Sequence, residues 1–156
     1  MRIVPLGPED WELYRDLRIA GLTEAPYAFS STLDELRQLG EAEWRAKLAS
    51  RMQFIAHDRD GVAIGTVGAY SDGDGVELIS LWVVPRARGH GVGAALVERV
   101  IAHARARGCR DVRLAVAEGN AVAERLYRRC GFTRTGVLQP VRAGEPELEA
   151  EMIRVL

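Results

Sequence analysis

The sequence predicts a mixed α/β domain in which short strands and amphipathic helices alternate around one sheet. Three patterns predict it. Residues 76–84 are apolar except for Glu77 and Ser80, as expected of a central strand covered on both faces. Glycines then alternate at Gly89, Gly91 and Gly93, and Val92, Leu96, Val100 and Ala104 recur every four residues, which is helix periodicity. Elsewhere, short β-branched runs are separated by turn residues and by further helix-period stretches.

The chain has 156 residues, which predicts one domain, 1–156, large enough to bury a core without disulfides or metals. Hydrophobic residues make up 47% and charged residues 28%, a soluble globular balance. A formal net charge of -1 argues against non-specific nucleic-acid binding, which needs a basic surface. The N-terminus has no long apolar run and no segment is long enough to span a bilayer, so a cytoplasmic protein without a membrane partner is expected. Cys109 and Cys130 form no CxxC pair and read as reduced small hydrophobes. His57, His90 and His103 share no metal-ligand spacing, so no metal site is expected.

In order, residues 1–6 read as a first strand. Pro8, Glu9 and Asp10 suit a helix start, with Leu13, Leu17 and Ala20 as its buried stripe and an end near Gly21. Residues 21–33 are irregular. Their Tyr27 and Phe29 either line a substrate pocket or plug the core. A second helical region holds Trp44 and Leu48 on one face. Residues 52–57 and 62–70 form a hairpin around an Asp-Gly turn, and 71–75 is an acidic loop. After the glycine-led helix comes a strand near 109–116. Asn120 then caps a helix in which Val122, Leu126 and Cys130 make one stripe and Asn120, Ala123 and Tyr127 its neighbour. Strands at 132–138 and 148–156 close the chain.

The glycine stretch reads as an anion seat. Open backbone at a helix start exposes several N–H groups at the positive end of the helix dipole. Gly89 to Ala94 also fit G-x-G-x-x-A on paper, but a dinucleotide site wants the first glycine almost directly off the domain's first strand. No Gly-Lys-Ser/Thr follows, so this is not a Walker loop.

Arg88-Gly89-His90-Gly91-Val92-Gly93, preceded by LWVVP and followed by Ala94-Ala95-Leu96, resembles the Q/R-x-x-G-x-G/A motif of the GNAT (Gcn5-related N-acetyltransferase) superfamily. A second signature of that family, N-x-x-A-x-x-L-Y-x-x-x-G-F, is met by Asn120, Ala123, Leu126, Tyr127, Gly131 and Phe132. The element order, strand, two helices, three strands, helix, strand, helix, two strands, is similar to the family's as well. The resemblance implies a mostly antiparallel sheet of about seven strands, helices on both faces, and a splay between two parallel strands.

It also implies an acetyl-CoA-dependent N-acetyltransferase. Backbone N–H groups from Gly89 to Ala94, through His90, Gly91, Val92 and Gly93, would hold the pyrophosphate, with charge from Arg88 and Arg86. The backbone of Trp82, Val83 and Val84 would pair with the pantetheine arm. Arg128 or Arg129 would reach the 3′-phosphate or remain a solvated face.

By the same resemblance a backbone N–H near Trp82 or Val83 stabilises the oxyanion and Tyr127 is the general acid. Glu77 matches a position where some members carry a glutamate base, and burial at a strand start would raise its pKa; a water relay is the alternative. Glu145, Glu147, Glu149 and Glu151 alternate, as for a strand face that attracts a cationic amine or, more simply, a solvated edge. The acceptor is expected to be a primary amine of a small molecule or peptide, met by the 21–33, 71–75 and 139–147 loops. Family members often dimerise, so a homodimer is an expectation. A CoA-binding module without turnover, or a different acyl donor or acceptor, is the rival.

Overall fold

The computed structural model describes residues 1–26 and 31–156, so the expectations for Tyr27 and Phe29 lie outside the described residues. In chain order the elements are β1 (Arg2–Pro5), α1 (Trp11–Glu24), α2 (Leu33–Arg37), α3 (Glu41–Ala49), β2 (Met52–His57), β3 (Ala63–Asp72), β4 (Gly75–Val83), α4 (Val92–Ala106), β5 (Asp111–Ala117), α5 (Ala121–Arg129), β6 (Thr133–Pro140) and β7 (Leu148–Val155). The seven strands form one open sheet in the order β1-β2-β3-β4-β5-β7-β6. All neighbours are antiparallel except β4 and β5.

The strands alternate their side chains between two cores. Phe54, Val67, Ala69, Val76, Leu78, Val112, Leu114, Val116, Ala150 and Met152 face α4, whose Val92, Leu96, Val100 and Ala104 are buried as the four-residue period requires. Tyr127, Cys130 and Phe132 extend this core. Ile55 and Trp82 face the other way, against Tyr14, Leu17, Leu22, Leu36, Trp44 and Leu48 of α1–α3. Tyr14 and Trp44 meet edge to face at 5.6 Å. Local signals set the helix starts. Thr32 and Glu35 form a reciprocal capping box on α2, at 2.9 and 3.2 Å.

Three elements differ from the sequence expectation. The buried stripe of α1 is Tyr14, Leu17, Arg18, Gly21 and Leu22, while Leu13 is exposed, and α1 continues past Gly21 to Glu24. Its inner face carries an arginine, a tyrosine and a glycine, which hides it from a purely apolar pattern. On α5, Val122 is exposed and the buried side is Tyr127 with Cys130. Finally, β7 is not an edge: it pairs with β5 on one side and β6 on the other. Glu149 and Glu151 therefore stand on an interior strand, and Glu145 and Glu147 precede it in the β6–β7 loop.

Candidate active site

β4 and β5 are joined only at their starts. Val76 pairs with Val112 and Glu77 with Arg113, and the parallel pairing stops there. β4 meanwhile stays paired with β3 as far as Val83 opposite Gly65. Between Thr66, opposite Trp82, and Gly68, opposite Ile79, the single residue Val67 faces both Ser80 and Leu81. This is a β-bulge, and Ser80 sits in it at φ 54°. A bulge bends and twists the strand that carries it. The far part of β4 keeps β3 and leaves β5, opening a wedge between the two parallel strands. Val84 N–H donates to Ile64 at 2.9 Å, so strand alternation turns the backbone of Val83 to the open edge. Of the expected Trp82–Val84 backbone, the Val84 donor is already engaged.

The α4 entry lies just beyond that edge. Gly89 (φ 76°) and Gly91 (φ 82°) are left-handed, and a Cβ on either would meet nothing within 4 Å. They are glycine for backbone conformation rather than for space. Gly93 is the opposite case, since a Cβ there would come within 3.1 Å of Leu126 on α5. Gly91 supplies no side-chain cap, and the first intrahelical bond is Ala95 N–H to Gly91 O at 3.0 Å. The N–H groups of Val92, Gly93 and Ala94 thus begin the helix without intrahelical acceptors, at the positive end of its dipole. Such a seat fits a pyrophosphate. His90 closes the turn through Nδ1 to the Arg88 carbonyl at 2.8 Å.

Arg88 is engaged differently from the expectation. Its guanidinium donates to both carboxylate oxygens of Glu24 at 2.7 and 3.1 Å, and its Nε to Val83 O at 3.0 Å. Trp82 Nε1 donates to the same Glu24 carboxylate at 3.1 Å. The Arg88 and Trp82 hydrogen bonds hold the Glu24 carboxyl below its usual pKa. Glu24 thereby ties the end of α1 to the end of β4 and to the glycine turn. Nothing in the sequence singled it out. Arg86 lies 3.7 Å from Asp58. Arg128 bonds Glu124 at 2.8 Å, and Arg134 joins the same carboxylate, which is pushed down to about 2 by these two arginines. Arg129 is exposed.

Glu77 is half-buried at the vertex of the wedge, and its pKa is pushed up to about 7. Burial is the largest cause, followed by the negative charges of Asp72, Glu151 and Glu149, with Arg113 opposing them. Tyr70 faces Glu77 across the β3–β4 register. On α5, Asn120 Oδ1 accepts the Ala123 N–H at 3.2 Å and so caps the helix. Tyr127 is 8% exposed and its ring meets Phe132 at 6.0 Å. Burial first, then Cys130, raises the Tyr127 hydroxyl above the usual phenol range. The contact between Leu126 and Gly93 seats α5 against the first turn of α4.

A cleft of about 870 Å³ opens at the C-terminal end of β5, beside the start of α5 and the loop between β6 and β7. Its walls include Pro26, Glu118, Asn120, Arg142, Glu145 and Glu147. The loops following α1 and β6 thus meet there, and Arg142 reaches Ser31 O at 3.4 Å. The 71–75 segment does not line this cleft. It is a tight hairpin turn, Asp72 opposite Gly75, whose contribution to the site is the Asp72 charge beside Glu77. Among the described residues, no group of three His, Cys, Asp or Glu side chains could hold a metal ion.

Residues 13–132 match the model of the acetyltransferase (GNAT) family. A mycothiol acetyltransferase from Cellulomonas flavigena is 31% identical over 161 residues, spanning 94% of this chain and 45% of that protein. The chain spans about half the length of the curated relatives it matches. A GCN5-related N-acetyltransferase from Kribbella flavida superposes with a TM-score of 0.80 at 23% identity, covering 99% of this chain and 97% of that one. A GNAT-superfamily phosphinothricin acetyltransferase from Sinorhizobium meliloti, in complex with acetyl-CoA, superposes with a TM-score of 0.78 at 20% identity, covering 99% and 88%. With its splayed parallel pair, glycine-led α4 and seven-stranded sheet, the chain belongs to the acetyltransferase (GNAT) family.

Proposed function

We propose that this chain is an acetyl-CoA-dependent N-acetyltransferase that acts on a primary amine through a ternary complex. The observation that carries this is the wedge itself. A half-buried carboxylate with a pKa near 7 sits at its vertex, and an uncapped helix start lies at its mouth. Family membership and the names of the relatives support the same reaction class. Acetyl-CoA supplies a thioester carbonyl that a neutral amine can attack.

The residues divide the remaining work. The N–H groups of Val92, Gly93 and Ala94 bind the pyrophosphate. Open-edge N–H groups of β4 beyond the bulge, Val83 among them, align the pantetheine amides and stabilise the developing oxyanion. Glu77 takes a proton from the acceptor ammonium, either directly or through one water, and so releases the neutral amine that attacks. Tyr127 O–H donates to the departing sulfur. Its burial keeps the phenol protonated, as a general acid must be.

Thiol release from acetyl-CoA, measured over a broad panel of small amines and peptides with mass-spectrometric detection of the N-acetyl product, tests the assignment. Amine-dependent release with a matching acetylated product supports it. Tight CoA binding without product across the panel would favour a binding module instead.

A further inference from the structure

A second cavity, of about 250 Å³, lies on the α1–α3 side of β4, beside the bulge. Arg18, Lys47 and Arg51 line it, together with Tyr14, Tyr70 and Ser80. Arg18 is 7% exposed, while Lys47 and Arg51 are half-buried. No carboxylate is among the cavity's described lining residues. Three cations converging on one partly desolvated space is an unfavourable arrangement in isolation, because like charges repel more strongly as water is excluded. Burial and the neighbouring Arg51 and Arg18 lower the Lys47 pKa against the opposing charge of Glu35, and burial with Arg51 lowers that of Arg18 against Tyr14. An anion entering the cavity would relieve this repulsion.

The cavity adjoins the vertex of the wedge. Ile79 in its wall is two residues from Glu77 on the same strand, a separation of about 7 Å. Tyr70, also in the wall, is the cross-strand partner of Glu77. On the far side of Glu77 stand Asp72, Glu149 and Glu151. One face of the sheet therefore runs from a negative region around the candidate base to a positive cavity, with Tyr70 between them.

Resting on the acetyltransferase reading above, we propose that the acceptor is an amine that also carries an anionic group (a carboxylate, phosphonate or sulfonate), with the amine at Glu77 and the anion held by Arg18, Lys47 and Arg51 in this cavity. Arg51 also donates to Tyr14 Oη at 3.2 Å, which fixes one cation against the cavity wall. Arginine pairs with planar oxyanions through two parallel donors, and lysine adds a point charge.

The test is calorimetric titration into CoA-loaded protein. The probes are the protein amino acids, 2-aminoethylphosphonate and taurine, each amino acid paired with its own carboxamide. At least one acid should bind tenfold or more tighter than its carboxamide, and Lys47→Ala with Arg51→Ala should erase that preference while leaving the CoA dissociation constant unchanged. These two half-buried positions are used because truncating the buried Arg18 risks the fold itself. Equal binding of acid and carboxamide, no binding of any acid, or a preference that survives the double substitution would overturn the proposal. Thiol release from acetyl-CoA in the same samples reports separately on acetyl transfer. A failed transferase reading would leave the binding preference intact, and a failed anion site would leave turnover of neutral amines intact.

Discussion

Glu77 of β4 and Arg113 of β5 face each other across the last rung of parallel pairing before the two strands part. Arg113 also lies 3.4 Å from Asp111 and 3.3 Å from Glu151, so its positive charge is shared among several carboxylates. Its pull on Glu77 is the smallest of the named contributions, and burial with three negative neighbours prevails. A carboxyl that titrates near 7 can take up and release a proton at neutral pH, where an ordinary glutamate remains ionised.

The same shift has a consequence for stability. The folded-state pKa is raised from 4.5 to about 7, so between these values the native state holds a proton that the unfolded chain has lost. The Glu77 contribution to stability therefore falls as pH rises through this window. Glu77→Gln is expected to raise the urea midpoint relative to the parent at pH 8 and by much less at pH 5. Because Glu77 is only half-buried, solvent screening keeps the gain below what the full shift would give. An identical difference at both pH values would show that the charge of Glu77 is not the cause.

Tyr127→Phe keeps the ring against Phe132 and removes only the hydroxyl. We predict a kcat lower by about tenfold or more with the KM for acetyl-CoA nearly unchanged, the pattern of a group that acts in the transition state. Steady-state kinetics with one good amine decides it, and an unchanged kcat would remove Tyr127 from proton transfer.

Glu24 and Arg88 yield a test by double-mutant cycle. If Arg88 serves as a brace between α1, β4 and the glycine turn, then Glu24→Ala and Arg88→Ala should each weaken CoA binding, and the double variant should be little worse than either. If Arg88 instead lends its charge to the pyrophosphate, Glu24→Ala should tighten binding and Arg88→Ala should weaken it. Calorimetry on the four proteins distinguishes the two roles by the sign of the Glu24 effect.

Gly91→Ala should lower stability by roughly 1–2 kcal/mol through its left-handed φ alone, because a Cβ there meets no neighbour. Gly91→Glu adds a negative charge at the anion seat. Its acetyl-CoA dissociation constant should rise at least tenfold beyond that of the alanine variant. Equal affinities for the two variants would mean that the α4 start does not bind the phosphates.

Much of this was legible in the sequence because it is local. The left-handed glycines, the four-residue period of α4 and the Asn120 cap depend on residues close in the chain, so the spacing that suggested them also forms them. The features that escaped depend on strand order and helix packing. Glu149 and Glu151 look like an edge face because β7 comes last, yet the sheet inserts β7 between β5 and β6 and brings both acids toward Glu77. Glu24 gains a role only when the end of α1 meets Trp82 and Arg88, and Arg18 reads as a surface residue until α1 turns it inward.

The pH dependence of kcat/KM for thiol release, compared between the parent protein and Glu77→Gln on the same amine, tests the role of the wedge most directly. The parent should show a rising limb centred near pH 7, as Glu77 loses its proton, and the Gln variant should lose that limb together with at least tenfold in rate at pH 8. Superimposable profiles at equal rates would contradict Glu77 as the base.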